Sequence, residues 1–419
     1  MTIRIVEKPE LGPCISPHAN QHIPIHNWYA YKHGYSRELA VYLINEFGLS
    51  EGSWVLDPFC GSGTTLLTCK EFGINARGFD ILPFSVFLTN VKISDYDVAG
   101  LERQLALFTG SMKEASSFKK MGLPDIPLVK KAFRPEIAER LLELKSTIDA
   151  ISAPKVRAFF NLGFLNILES VSNTSKAGGF LRLIRRDVNS NAIESIFLDR
   201  VKSMLKDVTA HYKFKEDRTV SVMAEIGDAR KLSTKQRFDA VITSPPYPNR
   251  HDYTRIYALE MVFDFVTTNE ELKSIRHQTI RSHVEARKQY EAAGYRKPDI
   301  LADMIEEIRR NGTNNPQVTS MIEGYFEDMY LVLSEISRCL KNKGRVGLVV
   351  SNVRFAGINI PVDEILGEVG VQVGLTPKEI LVARYRGNSS QQMRDYMRKP
   401  SRESVVIWQK IAEVVCDEE

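Results

Sequence analysis

The turn Asp57-Pro58-Phe59-Cys60-Gly61-Ser62-Gly63-Thr64-Thr65 joins an apolar run, SWVLD, to a helical pattern, LLTCKEFG. Glycines at such a corner let the backbone come close to a ligand, and the helix start behind them offers unpaired N–H groups. A loop that grips phosphate usually carries a lysine or a GxGxxG run, and neither is present. Instead a carboxylate, Asp57, stands just before the turn, where it would repel a pyrophosphate. Asp80 follows at the end of the next strand-like run, NARGFDI, where an acid can hold both hydroxyls of a ribose. A third acid, Asp228, follows the strand-like AEI and is placed to accept from an exocyclic adenine amine. A tight turn with helix caps would account for a lone Gly-Ser-Gly. Three acids at successive strand ends suit a nucleoside that carries a positive centre and no phosphate, and S-adenosylmethionine meets that description.

A second chemical corner follows the apolar stretch FDAVIT, as Ser244-Pro245-Pro246-Tyr247. Two prolines fix φ, remove two backbone donors and stiffen the turn, leaving nearby carbonyls to accept from a substrate. Ser244 adds a hydroxyl acceptor, and Tyr247 an aromatic face for a flat ring. Such a corner fits an exocyclic amine that must become nucleophilic, because acceptors on its N–H groups favour the pyramidal form that attacks a methyl group. No cysteine lies here, which argues against methylation of carbon 5 through a covalent thiolate adduct. A rigid proline turn closing a strand is the plainer reading of SPPY taken alone.

At these residues the sequence resembles the amino-group DNA methyltransferases, which act on N4 of cytosine or N6 of adenine. DPFCGSGTT resembles their cofactor motif and TSPPY their catalytic tetrapeptide. The resemblance implies S-adenosylmethionine as cofactor, bound by Tyr31, Asp57, Phe59, Cys60, Gly61, Ser62, Gly63, Thr64, Thr65, Asp80 and Asp228. It implies Ser244, Pro245, Pro246 and Tyr247 as the catalytic set, with Ser244 favouring cytosine N4 and Tyr247 stacking on a base turned out of the duplex. The segment from His26 to Tyr31, on through Ser36 and Arg37, is similar to the element that covers the methionine end of the cofactor. Here the catalytic motif follows the cofactor motif, an order that leaves the position of the target-recognition region open.

Strand-like runs that alternate with helical patterns must carry these corners. They predict an α/β fold, a doubly wound, mostly parallel sheet. With the resemblance this becomes a seven-stranded Rossmann-like methyltransferase sheet with an antiparallel edge hairpin and helical insertions. Residues 1–96 read as an N-terminal segment plus the cofactor half, 97–215 as a helical insertion, and 216–254 as the catalytic half. Residues 255–320 read as a second helical insertion with a possible role in target recognition, and 321–419 as the rest of the catalytic domain. The last two strands, KEILVARY and ESVVIWQK, are close enough to form the edge hairpin.

Charge bears on the partner. With 56 basic against 52 acidic residues the net charge is only +4, so the placement of charge must decide. One basic segment is 273–288, with Lys273, Arg276, Arg281, Arg287 and Lys288. A second is 384–402, with Arg386, Arg394, Arg398 and Arg402 beside Gln391 and Gln392, and a third is Arg182, Arg185 and Arg186 after a Gly-Gly pair. We expect Arg250, Arg276, Arg281, Arg386, Arg394, Arg398 and Arg402 to contact double-stranded DNA, although a solvated helix face would also account for the first and third segments. Five scattered cysteines without a CxxC pair predict neither disulfides nor a metal site, which fits a reducing cytoplasm. A mean hydropathy of −0.21 and the lack of a long apolar run argue against a membrane span. A modification enzyme whose restriction endonuclease or other defence partner is encoded separately is the expected setting. An RNA methyltransferase acting on tRNA guanine N2 shares both corners but normally carries an RNA-binding domain ahead of the first strand, where only about 50 residues stand here. A non-catalytic nucleic-acid-binding scaffold would need neither the acids nor SPPY.

Overall fold

The computed structural model describes residues 3–114, 126–211, 220–313, 315–387 and 400–411. Twelve strands occur among them: β1 Arg4–Glu7, β2 Trp54–Asp57, β3 Asn75–Asp80, β4 Thr174–Ala177, β5 Phe180–Leu183 and β6 Val222–Ile226. Then come β7 Phe238–Thr243, β8 Leu340–Ser351, β9 Val353–Phe355, β10 Ile358–Ile360, β11 Leu375–Arg386 and β12 Ser401–Lys410. Eight of them form one sheet in the order β1-β11-β12-β8-β7-β2-β3-β6. All neighbouring pairs are parallel except those of β12, which runs antiparallel to both β8 and β11.

After the edge strand β1, the chain lays down β2 at the centre, extends the sheet through β3 and β6 on one side, then returns to build β7 and β8 on the other. That reversal leaves a crevice outside the carboxyl ends of β2 and β7, the place where doubly wound sheets bind ligands. Buried both above and below, β2 and β7 read as continuous apolar runs: Val55, Leu56, Ala240, Val241 and Ile242 are fully buried. Helices Arg37–Glu46, Thr64–Glu71 and Pro83–Ile93 pack on one side of the sheet, while Gln317–Cys339 and Val362–Val371 fill the other.

Two features depart from the expected architecture. The sheet has eight strands because the four-residue β1 pairs with β11, too short a segment to announce itself by alternation. The β11–β12 hairpin consequently lies inside the sheet, and β1 forms that edge. In addition, the expected helical insertion contains a β-hairpin, β4–β5, turned by Gly178 at φ +68° and Gly179. A two-residue turn needs such left-handed backbone. The helices Val98–Glu114, Pro127–Ala132, Pro135–Asp149, Pro154–Val171 and Ile193–His211 surround that hairpin in sequence. No helix among the described residues is long and apolar enough to cross a membrane.

Candidate active site

The cofactor corner is built from glycine geometry. Gly61 and Gly63 sit at φ +48° and +76°, which L side chains seldom adopt. A Cβ on Gly63 would lie 2.8 Å from the Thr89 side chain, so residue 63 has no room for one either. The turn thus folds back on itself, with Cys60 N–H bonded to Phe79 O at 2.9 Å and Gly61 N–H donating to Asp80 Oδ2 at 3.0 Å.

A cavity of about 900 Å³, counting its open mouth, lies over this turn. Tyr31, Asp57, Phe59, Cys60, Gly61, Ser62, Thr64, Asp80 and Asp228 line it, as do Ser244 and Pro246. Both chemical corners therefore face one space. Gly63 and Thr65 are exceptions: Gly63 shapes the turn, and Thr65 is fully buried and holds Ile242 O at 3.2 Å. Pro245 and Tyr247 also stand outside the walls. The Tyr247 hydroxyl bonds that of Ser244, and burial followed by the Glu403 charge raises its pKa.

The three acids differ in state. Burial pushes Asp57 up to about 7, although Thr243 Oγ1 donates to it at 2.6 Å and Phe59 N–H at 3.1 Å. Burial likewise pushes Asp80 up to about 6, against hydrogen bonds from the Leu82 and Gly61 N–H groups. Asp228 departs from the simple expectation of an acid awaiting an amine. Burial alone would raise its pKa, but bonds from Arg230 hold it below the ordinary carboxylate value. Arg230 meets both of its oxygens, at 3.0 and 2.9 Å.

Among the described residues no lysine or arginine belongs to the wall, so no side-chain cation there meets a triphosphate. Two poorly solvated acids and a flat aromatic surface suit a nucleoside with a cationic centre. Tyr31 supplies that surface, braced by Tyr257 stacked at 4.5 Å and 17°. S-adenosylmethionine fits this donor and acceptor set: Asp80 would hold the ribose hydroxyls and Asp57 would stand near the positive end.

Sequence reasoning missed one wall altogether. Gln278, Thr279, Ile280, Ser282 and His283 line the cavity together with the glycine turn, joined by Tyr253 and His33. Arg230 ties this strap down, donating to Gln278 O at 2.6 Å and to Lys288 O at 3.0 Å. Arg250, left-handed at φ +71°, binds it from the catalytic corner through its N–H to Ser282 O at 3.1 Å. The basic character of 273–288 drew attention to this segment, but for its charges and not for the residues 278–283 that line the cavity.

The expected DNA-facing arginines divide. Arg250 and Arg386 are exposed, the latter beside Glu403 at 2.9 Å. Arg276 is instead turned to Asp252 at 2.7 Å, and Arg281 to Asp328 at 2.7 Å and Glu327 at 3.0 Å. Arg402 pairs with Asp363 at 2.7 Å and also with Glu364. In these three, each guanidinium has carboxylates brought to it by folding. Arg394 and Arg398 lie outside the described residues.

The N6/N4 family model described as DNA methylase matches residues 14–89. The chain is 33% identical to the Type II methyltransferase M.BsoBI of Geobacillus stearothermophilus, over 97% of this chain and 90% of that protein. It is 29% identical to the Type II methyltransferase M.AvaI of Nostoc sp., over 94% and 88% of the two chains. Among solved structures, the rRNA methyltransferase aviRa from Streptomyces viridochromogenes overlays with a TM-score of 0.34 at 11% identity, covering 91% of this chain and 87% of that one. An overlay that loose says nothing about substrate.

Proposed function

Because the chain belongs to the amino-group DNA methyltransferases, which use S-adenosylmethionine, we propose that its target atom is N4 of cytosine in double-stranded DNA. The observation that carries this reading is Ser244, a neutral hydroxyl on the wall of the cofactor cavity where a stronger acceptor such as a carboxylate could stand. Nearby carboxylates are engaged elsewhere: Asp57 with Thr243 and Phe59, and Asp80 with Gly61 and Leu82.

The cofactor, when bound, supplies an electrophilic methyl group on a sulfonium. The protein's own part is to hold the amine in line and to receive its proton. Ser244 Oγ accepts one amine hydrogen, which localises the nitrogen lone pair for attack. Once the nitrogen has taken up the methyl group, the surplus amine proton would leave by way of Ser244 to water. Pro246 walls the site without competing donors, and the Tyr247 ring stands beside Ser244 as a flat face for the base.

The curated relatives are Type II methyltransferases, which supports a role as the modification half of a restriction–modification pair, with the cleaving partner a separate protein. Digesting modified DNA to nucleosides, followed by chromatography and mass spectrometry, tests the target atom. Recovery of 4-methylcytosine is expected. Recovery of N6-methyladenine alone would replace the target, and 5-methylcytosine would overturn the reading of the SPPY corner.

A further inference from the structure

The β4–β5 hairpin stands beside the catalytic corner and is held there rigidly. On β4, Lys176 is buried against Glu260 at 2.6 Å and lies 5.0 Å from the centre of the Tyr29 ring. Arg186, just past β5, donates to Glu169 O and to Ser172 O, pinning the base. At the tip, a Cβ on Gly179 would come within 2.6 Å of the His251 ring. His251 in turn meets the His33 ring edge-on at 5.3 Å, and His33 belongs to the cavity wall. Two side-chain contacts thus separate the tip from the reaction space.

Alternation decides what the hairpin presents. Lys176 and Leu181 face each other across the pair and turn inward, Lys176 to Glu260 and Leu181 to the core. Offset by one residue, Phe180 and Arg182 share the outer face, and both are exposed. Phe180 is 55% exposed and is the one exposed phenylalanine among the described residues. An aromatic ring held in water by a clamped turn, with a guanidinium two residues on, matches a stacked and charged partner. An enzyme that turns a base out of the duplex leaves a gap in the stack, and apolar side chains fill such gaps in other DNA-bending proteins.

We propose that Phe180 enters the base stack at the gap left by the target nucleotide, while Arg182 meets the adjoining phosphate. This rests on the DNA-methyltransferase reading of the same site. Phe180 is then a positioning residue, acting through the DNA and not on the reacting atoms.

The test compares single-turnover methylation of two duplexes carrying the sequence the protein modifies, one fully paired and one with the target base mispaired. A mispaired base is already partly unstacked, so its rotation needs less help. Phe180→Ala is expected to slow the paired duplex by about tenfold or more and the mispaired one by less than about twofold. Phe180→Trp should restore the paired rate, and cofactor affinity should be unchanged in both variants. Parent-like rates for Phe180→Ala on the paired duplex would overturn the proposal, as would equal losses on both duplexes. A parent protein that methylates neither duplex would overturn the underlying function as well.

Discussion

Asp57 and Asp80 are the residues whose protonation the cofactor must contend with. Both carboxyls are raised by burial, to about 7 and about 6, from an ordinary value of 3.8. Between pH 4 and 7 the unfolded chain therefore gives up these protons before the folded one, so their contribution to apo stability falls as pH rises. Cofactor binding has the opposite dependence, since hydroxyl donors and a sulfonium favour the anions. Affinity should rise by up to roughly tenfold per pH unit for each proton released from pH 5 and level off above 7. Calorimetry across that range checks the slope, and Asp57→Asn should flatten its upper part. Tyr247 offers a second test at this scale, since its ring and its hydroxyl can be separated. If the ring stacks on the displaced base, Tyr247→Ala loses about 1–3 kcal/mol, roughly 5- to 150-fold in turnover. Tyr247→Phe should be mild, and equal losses in single-turnover assays would transfer the role to its bond with Ser244.

The elements that matter most are joined through Arg230. Its guanidinium is fully buried and reaches Asp228 after β6, Asp328 on helix Gln317–Cys339 and two carbonyls of the strap. The Tyr290 ring lies over it at 5.0 Å. Arg230→Met removes a buried cation shared by two carboxylates, and with Asp328 still paired to Arg281 it should cost about 3 kcal/mol in denaturant-induced unfolding. It should also weaken cofactor affinity, because the strap and Asp228 lose a common anchor. Little of this could be read in the sequence. The glycine turn and the acids that end β2 and β3 were legible because chemistry and secondary structure are written within a few neighbouring residues. The strap was not, since residues 279–298 have no helical or strand period to mark them. Hairpin β4–β5 was hidden similarly, its four-residue strands reading only as a Gly-Gly interruption between helices.

Across the whole molecule, the near balance of charge conceals how much of it is internally spent. A charge run such as 273–288 looks like a cleft when read along the chain, yet Arg281 finds its partner in Asp328, and Arg402 finds Asp363. Sequence lists charges without their counter-charges, and only tertiary structure pairs them. Arg402→Ala is therefore expected to lower unfolding stability by about 3 kcal/mol, since Asp363 is fully buried, while leaving the salt dependence of DNA binding unchanged. Replacing exposed Arg182 and Arg185 together should do the reverse, flattening the log–log salt slope by up to about two. Paired thermal melts and salt titrations separate the two behaviours.

The position of β12 between β8 and β11 also sets a timetable. The cofactor loop is finished by residue 65, whereas the strand that closes the sheet is residues 401–410. At ribosomal speeds of about 5–20 residues per second, that interval lasts roughly 20–70 s. β8 is complete only at residue 351, so for the last roughly 2.5–10 s of that interval the nascent chain carries β8 with its flank unpaired, an open template for a neighbouring nascent chain. Synthesis halted after residue 400 should therefore yield insoluble protein in a fractionated lysate and not a weakened enzyme, and slower, cooler expression should favour the full-length product.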